Sequence, residues 1–319
     1  MAILAGIDEA GFGPLLGPLV VSASVFTVEP ALLKADLWQR LRRSVGKTRQ
    51  HLAGRLLITD SKKAYDRATG LGHLERTVLA VLRALGKEPS NLSELLSLLC
   101  PDCLARLSEY AWYRQVQEQP LADGRADLRI AARVFADDLA SQQIRLMRVG
   151  SCCLDVGHYN TMVGRVKNKS QVLFIAATRL IQGILDECPD DTIHILIDRH
   201  GGRVHYRDGL MRSFANMDLR IVHESKEGSV YELRSGSRLV RLTFRVKADG
   251  HYLPVALASM VSKYVRELLM QCINRYFLAL DAGLTPTAGY WQDGLRFVDE
   301  LRRRLPHLEI DPHQLIRCR

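Results

Sequence analysis

The sequence predicts a mixed α/β chain, a sheet flanked by helices with an inserted helical subdomain. Three observations lead there. Short apolar runs that end in acids or turn residues recur along the chain, as the strands of a covered sheet do. Residues 239–246 alternate cleanly, with Val240, Leu242, Phe244 and Val246 on one side and Arg241, Thr243 and Arg245 on the other. Apolar stripes at helical spacing lie between these runs.

Taken in order, residues 3–7 and 19–26 are apolar runs joined through the turn Gly11-Phe12-Gly13-Pro14, which predicts two strands forming a hairpin. Residues 37–45 have the pattern of an amphipathic helix. From 64 to 149 only helical periodicity is found, over 74–85, 92–99, 103–117 and 126–147, and Asn91 with Glu94 resembles a capping box opening the second of these. That stretch reads as a helical insertion between a first part of the core, 1–63, and a second part, 150–280. Residues 170–185 carry apolar side chains at 172, 175, 176, 180 and 184, a helix. Residues 194–197 form a strand-like run ending in Asp198. Residues 230–233 and 239–246 flank Ser235-Gly236-Ser237, the pattern of a hairpin. A wide apolar stripe marks 254–280 as the longest helix, and 281–319 reads as a C-terminal helical extension with a helical stretch at 294–304.

Over 319 residues the hydrophobic share is 47% and the charged share 25%, which excludes disordered, collagen-like and coiled-coil chains. Lysine and arginine number 44 against 35 acids, a net charge of +9 that favours a polyanionic partner. Six of the cations, Arg40, Arg42, Arg43, Lys47, Arg49 and Arg55, stand beside Trp38 in an acid-free stretch, 37–59. That stretch fits either a duplex-backbone contact or a solvated helix face. Arg241, Arg245 and the arginines of 302–304 are further candidates. No run is long enough to span a membrane, since 15–26 is broken by Gly17, Pro18 and Ser22, and no basic segment precedes the first apolar run. The expected setting is cytoplasmic and reducing, with free thiols among the seven cysteines. Cys100-Pro-Asp-Cys103 has the spacing of half a zinc site, but Cys152-Cys153 is adjacent rather than spaced, and core thiols with chance spacing explain both.

The chemistry candidates are acids at strand ends: Asp8 and Glu9 after one apolar run, Asp198 after another. Ligands commonly bind at such edges of α/β sheets. Adjacent carboxylates repel unless a proton or cation lies between them, and magnesium or manganese takes oxygen ligands of this kind. By themselves such acids more often mark a solvated strand end or a cap.

The surrounding residues add more. Gly6-Ile7-Asp8-Glu9-Ala10-Gly11-Phe12-Gly13-Pro14, continuing through Gly17-Pro18-Leu19-Val20-Val21, closely resembles the opening of the type 2 ribonucleases H, ribonuclease HII and its relatives. Asp60-Ser61-Lys62-Lys63 resembles a second block of that family. Lys247-Ala248-Asp249, followed by Pro254-Val255, Ala258-Ser259 and Ser262-Lys263-Tyr264-Val265-Arg266-Glu267, resembles a third. Ile195-Leu196-Ile197-Asp198 falls where the family has another acid on a strand. The resemblance implies a ribonuclease H-like mixed sheet and makes Asp8, Glu9, Asp198 and Asp249 the catalytic, metal-binding acids of a two-ion Mg2+ or Mn2+ site. In such a site one ion activates the attacking water and the other stabilises the leaving oxygen. Asp198 and Asp249 lie 51 residues apart, more than the family usually shows, and the expected hairpin accounts for the excess.

The resemblance also suggests substrate contacts. The family reads the ribose 2′-hydroxyl largely through main-chain groups of a Gly-Arg-Gly loop; here the loop is Gly11-Phe12-Gly13. Both glycines remain, whereas the arginine fork has no equivalent in Phe12, which can stack on substrate or pack into the protein. Lys62 and Lys63 would contact phosphates and Ser61 the substrate, although a lysine pair after a strand is more usually a solvated turn. Tyr290 resembles a family tyrosine at the ribonucleotide–DNA junction and fits a half-buried core position as well. The expected protein is therefore a monomeric endoribonuclease. It would act on RNA–DNA hybrids, or 5′ to ribonucleotides in duplex DNA, leaving 5′-phosphate and 3′-hydroxyl ends. The alternative is a nucleic-acid-binding relative with lapsed catalysis or altered recognition.

Overall fold

In the computed structural model, residues 1–65, 70–121, 126–188 and 192–318 are described. β1 (Ala2–Ala10) and β2 (Leu19–Val28) are buried along nearly their whole length. Helices cover both faces there, which is why both strands read as continuous apolar runs instead of alternating ones. They pair antiparallel from Ala2 opposite Val28 to Ala10 opposite Val20, the expected hairpin. β3 (Val45–Gly46) and β4 (Leu56–Leu57) make a separate short parallel pair. β5 (Arg145–Leu154) adds to the outer edge of β2, antiparallel, with a bulge between Val25 and Phe26. β6 (Thr192–Asp198) lies parallel to β1 on its other side. Beyond it come β7 (Asp218–Glu224), β8 (Gly228–Ser235) and β9 (Arg238–Arg245); β9 runs parallel to β6, and the other two continue antiparallel. The result is a mixed seven-stranded sheet in the order β5-β2-β1-β6-β9-β8-β7, flanked by helices as expected.

The chain's helices are α1 (Leu37–Arg40), α2 (Ser61–Ala64), α3 (Gly72–Ala84), α4 (Leu92–Leu99), α5 (Leu104–Leu107), α6 (Ala126–Ser141), α7 (Val156–Val166), α8 (Lys169–Glu187), α9 (Arg207–Ser213), α10 (Leu253–Leu280), α11 (Trp291–Arg304) and α12 (Pro312–Leu315). The two-residue period of β1 sends Leu4 and Asp8 to one face and Ile3, Ala5 and Ile7 to the other. The first face packs with Val20 and Phe26 against α10, and one continuous core runs on through Val78 of α3, Leu95 of α4 and Phe135 of α6. The second face packs on Val172, Phe174 and Ile181 of α8 and on Tyr206 and Leu210. α10 crosses β1 so closely that a Cβ on Gly6 would stand 2.1 Å from the Pro254 carbonyl carbon. The Ser24 hydroxyl donates to the Pro254 carbonyl at 2.8 Å beside it. No helix among the described residues is long and apolar enough to cross a membrane.

Three expected helices are shorter than their patterns. The helix expected over 37–45 stops at Arg40: the Ser44 N–H and hydroxyl donate to the buried Asp138 carboxylate of α6 at 3.0 and 2.7 Å, drawing the chain into β3. The stretch 103–117 holds only α5 and single turns of 3-10 helix, because Tyr110, Trp112 and Tyr113 pack as a ring cluster on Phe277 of α10. The helix expected over 126–147 ends at Ser141, and Arg145 already belongs to β5, paired with Thr27 of β2. Leu146 falls within the expected helical pattern, but the ladder to β2 decides the conformation.

Candidate active site

The parallel register brings the acids together. Ile7 lies beside Ile197, so Asp8 and Asp198 follow side by side at the ends of strands about 4.8 Å apart. Asp198 in turn lies beside Arg245 of β9. After β9 the chain passes through left-handed Lys247, φ 54°, into a turn of 3-10 helix, Ala248–Gly250, that carries Asp249. The Ala248 N–H donates to the Asp198 carboxylate at 2.7 Å and ties that turn to β6. From α10, the Ser262 hydroxyl donates to the Asp8 carbonyl at 2.9 Å, and Ser259 bonds both the Asp8 carboxyl and, at 3.1 Å, the Ser61 hydroxyl. Segments far apart in sequence thus meet at one end of the sheet.

The electrostatics match that crowding. Burial pushes the Asp8 carboxyl well above the usual carboxylate range, and the charges of Glu9 and Asp198 push it further. Glu9 rises to about 8, through burial first and then Asp198. Asp198 rises to about 6, again by burial, with Asp249 adding to it and the Ala248 N–H opposing it. Asp249 is raised by burial and by Asp60, against the pull of Lys62 and Lys63. Asp60 is therefore a fifth acid at this end of the sheet. It also caps α2 by accepting the Lys62 N–H at 2.8 Å.

Oxygen-only donors whose charges raise one another suit a hard divalent cation. Among the described residues, however, no three Asp, Glu, His or Cys side chains converge closely enough to hold an ion. The donor chemistry fits magnesium or manganese; the carboxylates would have to draw inward around it.

A cleft of about 170 Å³ adjoins the acids, and Glu9, Gly11, Phe12, Gly13, Ser61, Lys62 and Tyr290 all line it. Lys63 does not, although its charge, like that of Lys62, acts on Asp249. Gly11 has φ +94°, and a Cβ there would meet the Pro18 carbonyl oxygen at 2.5 Å and the Arg266 guanidinium at 2.8 Å, so this position requires glycine. Gly13 has open space around it and keeps its main chain uncovered. The Phe12 ring is partly buried against the second core, with the Lys169 ammonium 5.4 Å from its centre, and Phe12 also lines the cleft. Tyr290 is 48% exposed, with the Arg266 guanidinium 5.7 Å from its ring.

Several of the expected cationic contacts have structural partners. Trp38 is buried and its indole donates to the Ile58 carbonyl at 2.8 Å. Lys47, Arg49 and Arg55 donate to backbone carbonyls, Lys47 to Gly250 beside Asp249 at 2.7 Å. Arg241 pairs with Glu232 and Arg245 bonds the Tyr252 hydroxyl. Arg302 and Arg304 pair with Asp299 and Asp281.

Two arginines escaped the sequence reasoning as parts of the site. Arg266 is fully buried, paired with Glu267 at 2.9 Å and bonded to the Ala288 carbonyl at 3.0 Å, directly under Gly11. It stands within the stretch 262–267 that resembles the family's third block, which was the available signal. Arg317, near the C-terminus, donates to the Gly11 and Phe12 carbonyls and lies 4.0 Å from the Tyr159 ring. Nothing local in the sequence marks it, since it reaches the loop only through tertiary packing.

No family model matches the chain, and no curated protein matches it. Among solved structures it is similar to the ribonuclease HII of Archaeoglobus fulgidus, solved in complex with PCNA, at 16% identity and TM-score 0.46 over 99% of this chain and 94% of that one. It is similar to ribonuclease H2 from Pyrococcus horikoshii OT3 at 14% identity and TM-score 0.46, over 98% and 92%. It is also similar to Bst ribonuclease HIII in complex with Mn2+, at 16% and 0.46, over 99% of this chain and 66% of that chain. The functional reading rests on the residues and their placement.

Proposed function

We propose that the chain is a metal-dependent endoribonuclease. It hydrolyses the RNA strand of RNA–DNA hybrids, or cuts 5′ to ribonucleotides in duplex DNA. The observation that carries this reading is the meeting of Asp8, Glu9, Asp198 and Asp249 at one sheet end, each carboxyl raised, beside a cleft lined by Gly11, Phe12, Gly13, Ser61, Lys62 and Tyr290. Asp8, Glu9, Asp198 and Asp249 would hold Mg2+ or Mn2+, which when bound supplies an activated water and a stabilised leaving oxygen.

The chain's own residues do the rest. Lys62 sits where its charge acts on both Glu9 and Asp249, so a scissile phosphate at the acids has a cation beside it. The Lys63 charge acts on Asp249 as well, and Ser61 is fixed to Ser259. Gly11, Phe12 and Gly13 line the cleft, where a main-chain group of the loop can meet a ribose hydroxyl. Tyr290 offers an exposed ring on which a sugar or base can rest.

The test uses three labelled duplexes: one ribonucleotide in DNA, a four-ribonucleotide patch and a full hybrid, each with magnesium and with manganese, against Asp8→Asn. Cleavage leaving 5′-phosphate and 3′-hydroxyl ends, lost in the variant, is expected. Binding without cleavage under both metals would instead favour a lapsed, nucleic-acid-binding relative. Cleavage of the hybrid alone would assign Phe12 a changed specificity, and Phe12→Arg should then restore single-ribonucleotide cleavage.

A further inference from the structure

Cys100, Cys103 and Cys153 lie outside the proposed nuclease site, yet the fold gathers them. Cys100 ends α4 and Cys103 follows after one turn of 3-10 helix, its N–H donating to the Cys100 carbonyl at 3.1 Å. A turn of that kind keeps the two α-carbons within about 7 Å, near the separations a disulfide spans. The sulfurs are 3.5 Å apart. Cys153 reaches in from β5, and its thiol hydrogen-bonds with both. Arg106 closes the group by donating to the Cys153 carbonyl at 2.9 Å and the Asp155 carboxylate at 2.7 Å. All three cysteines are buried, but a cavity of about 180 Å³ adjoins them, bordered by Cys152, Arg106 and Arg179. That is room for molecules the size of water, and with Cys100 3% and Cys103 1% exposed a tripeptide disulfide meets almost no sulfur surface.

We infer that Cys100 and Cys103 form an oxidation site, a thiol pair that a hydroperoxide small enough to enter this cavity converts into a disulfide. The hydrogen bond it shares with Cys100 at 3.5 Å, the Cys153 thiol and the nearby Arg106 charge lower the Cys103 thiol, so Cys103 is the thiol of the group that ionises first. The Cys103 sulfur attacks one peroxide oxygen; the S–O bond forms, the O–O bond breaks, and hydroxide leaves to take up the proton Cys103 released. The Cys100 thiol then gives up its proton and attacks the Cys103 sulfur; the S–S bond forms, the S–O bond breaks, and the departing hydroxide leaves as water. Two thiols and one hydrogen peroxide become one disulfide and two waters.

The test treats the reduced, folded full-length chain with hydrogen peroxide or with oxidised glutathione. After quenching, the chain is denatured, alkylated and mapped by mass spectrometry. All seven cysteines are free at the start. Peroxide should leave Cys100 and Cys103 unalkylated in one peptide lighter by two hydrogens, while oxidised glutathione should leave both alkylated. Cys152→Ser should behave as the parent, and Cys103→Ser should leave Cys100 alkylated. Full alkylation of Cys100 and Cys103 after peroxide would overturn the proposal, as would a retained metal ion that shields them or equal reaction with glutathione disulfide. Each outcome is independent of the nuclease reading, because none depends on cleavage.

Discussion

Glu9→Gln should stabilise the metal-free protein while abolishing its proposed activity. The Glu9 carboxyl titrates near 8 in the folded chain, against an ordinary 4.5, because burial and Asp198 disfavour its charge. An acid raised in the folded state costs nothing below its unfolded value, where both states are protonated. From about pH 4.5 upward the unfolded state ionises first, so stability falls until the folded group also ionises near pH 8. The full displacement corresponds to about 5 kcal/mol. Shared repulsion with Asp8 and Asp198 and the partial exposure of Glu9 reduce what one neutral amide recovers to about 2 kcal/mol. With an unfolding entropy of about 2.1 cal/mol/K per residue, a chain of 319 residues shifts its Tm by about 3 °C for that change. The assay is thermal unfolding in a chelator at pH 4 and at pH 8.5, with and without millimolar magnesium. Equal midpoints at pH 4, a higher midpoint for the variant at pH 8.5, and a lead abolished by magnesium are expected. A variant less stable than the parent at pH 8.5 in chelator, or a difference independent of pH, would refute the reasoning.

Other consequences follow from particular contacts. Arg317→Ala should cost about 2–3 kcal/mol in urea unfolding, because it leaves the Gly11 and Phe12 carbonyls without their charged donor, and should lower kcat more than it raises KM. Gly6→Ala should destabilise by at least about 3 kcal/mol, or prevent folding, since its methyl would overlap the Pro254 backbone; urea titration measures it. His200 is buried and held neutral, its titration lowered to about 3 by burial and Arg203. Stability should therefore fall as pH drops from 6.5 towards 3, where the unfolded state takes up a proton the folded state resists, and His200→Phe should flatten that part of the urea-midpoint curve. Tyr290→Ala should weaken hybrid binding about tenfold with an unchanged Tm, since the ring is half exposed and borders the cleft.

Much of this arrangement is written locally. The ends of β1 and β6 are apolar runs that stop at Asp8 and Asp198, a pattern a covered parallel sheet imposes directly. α4 opens on Asn91, which accepts the Glu94 N–H at 3.0 Å, as its residues anticipated; the Glu94 carboxylate returns to the Ser90 N–H instead of that of Asn91. What was hidden depended on distant partners. β7 is an outer strand whose residues are mostly exposed, so it lacks the apolar contrast that marks a strand. Residues 44–46 would have continued α1 but for the buried Asp138. Arg266 and Arg317 look like surface cations until the fold buries them beneath the loop, and the grouping of Cys153 with Cys100 and Cys103 needs β5 beside α4.

The most direct measurement is hybrid cleavage in manganese by the parent and by Asp8→Asn, Glu9→Gln, Asp198→Asn and Asp249→Asn, with hybrid affinity measured for each in parallel. The expected result is cleavage by the parent and a loss of at least about 100-fold in each variant, with binding preserved within a few-fold. An inactive parent, or an Asp8→Asn or Asp249→Asn protein that cleaves as the parent does, would contradict a shared carboxylate site.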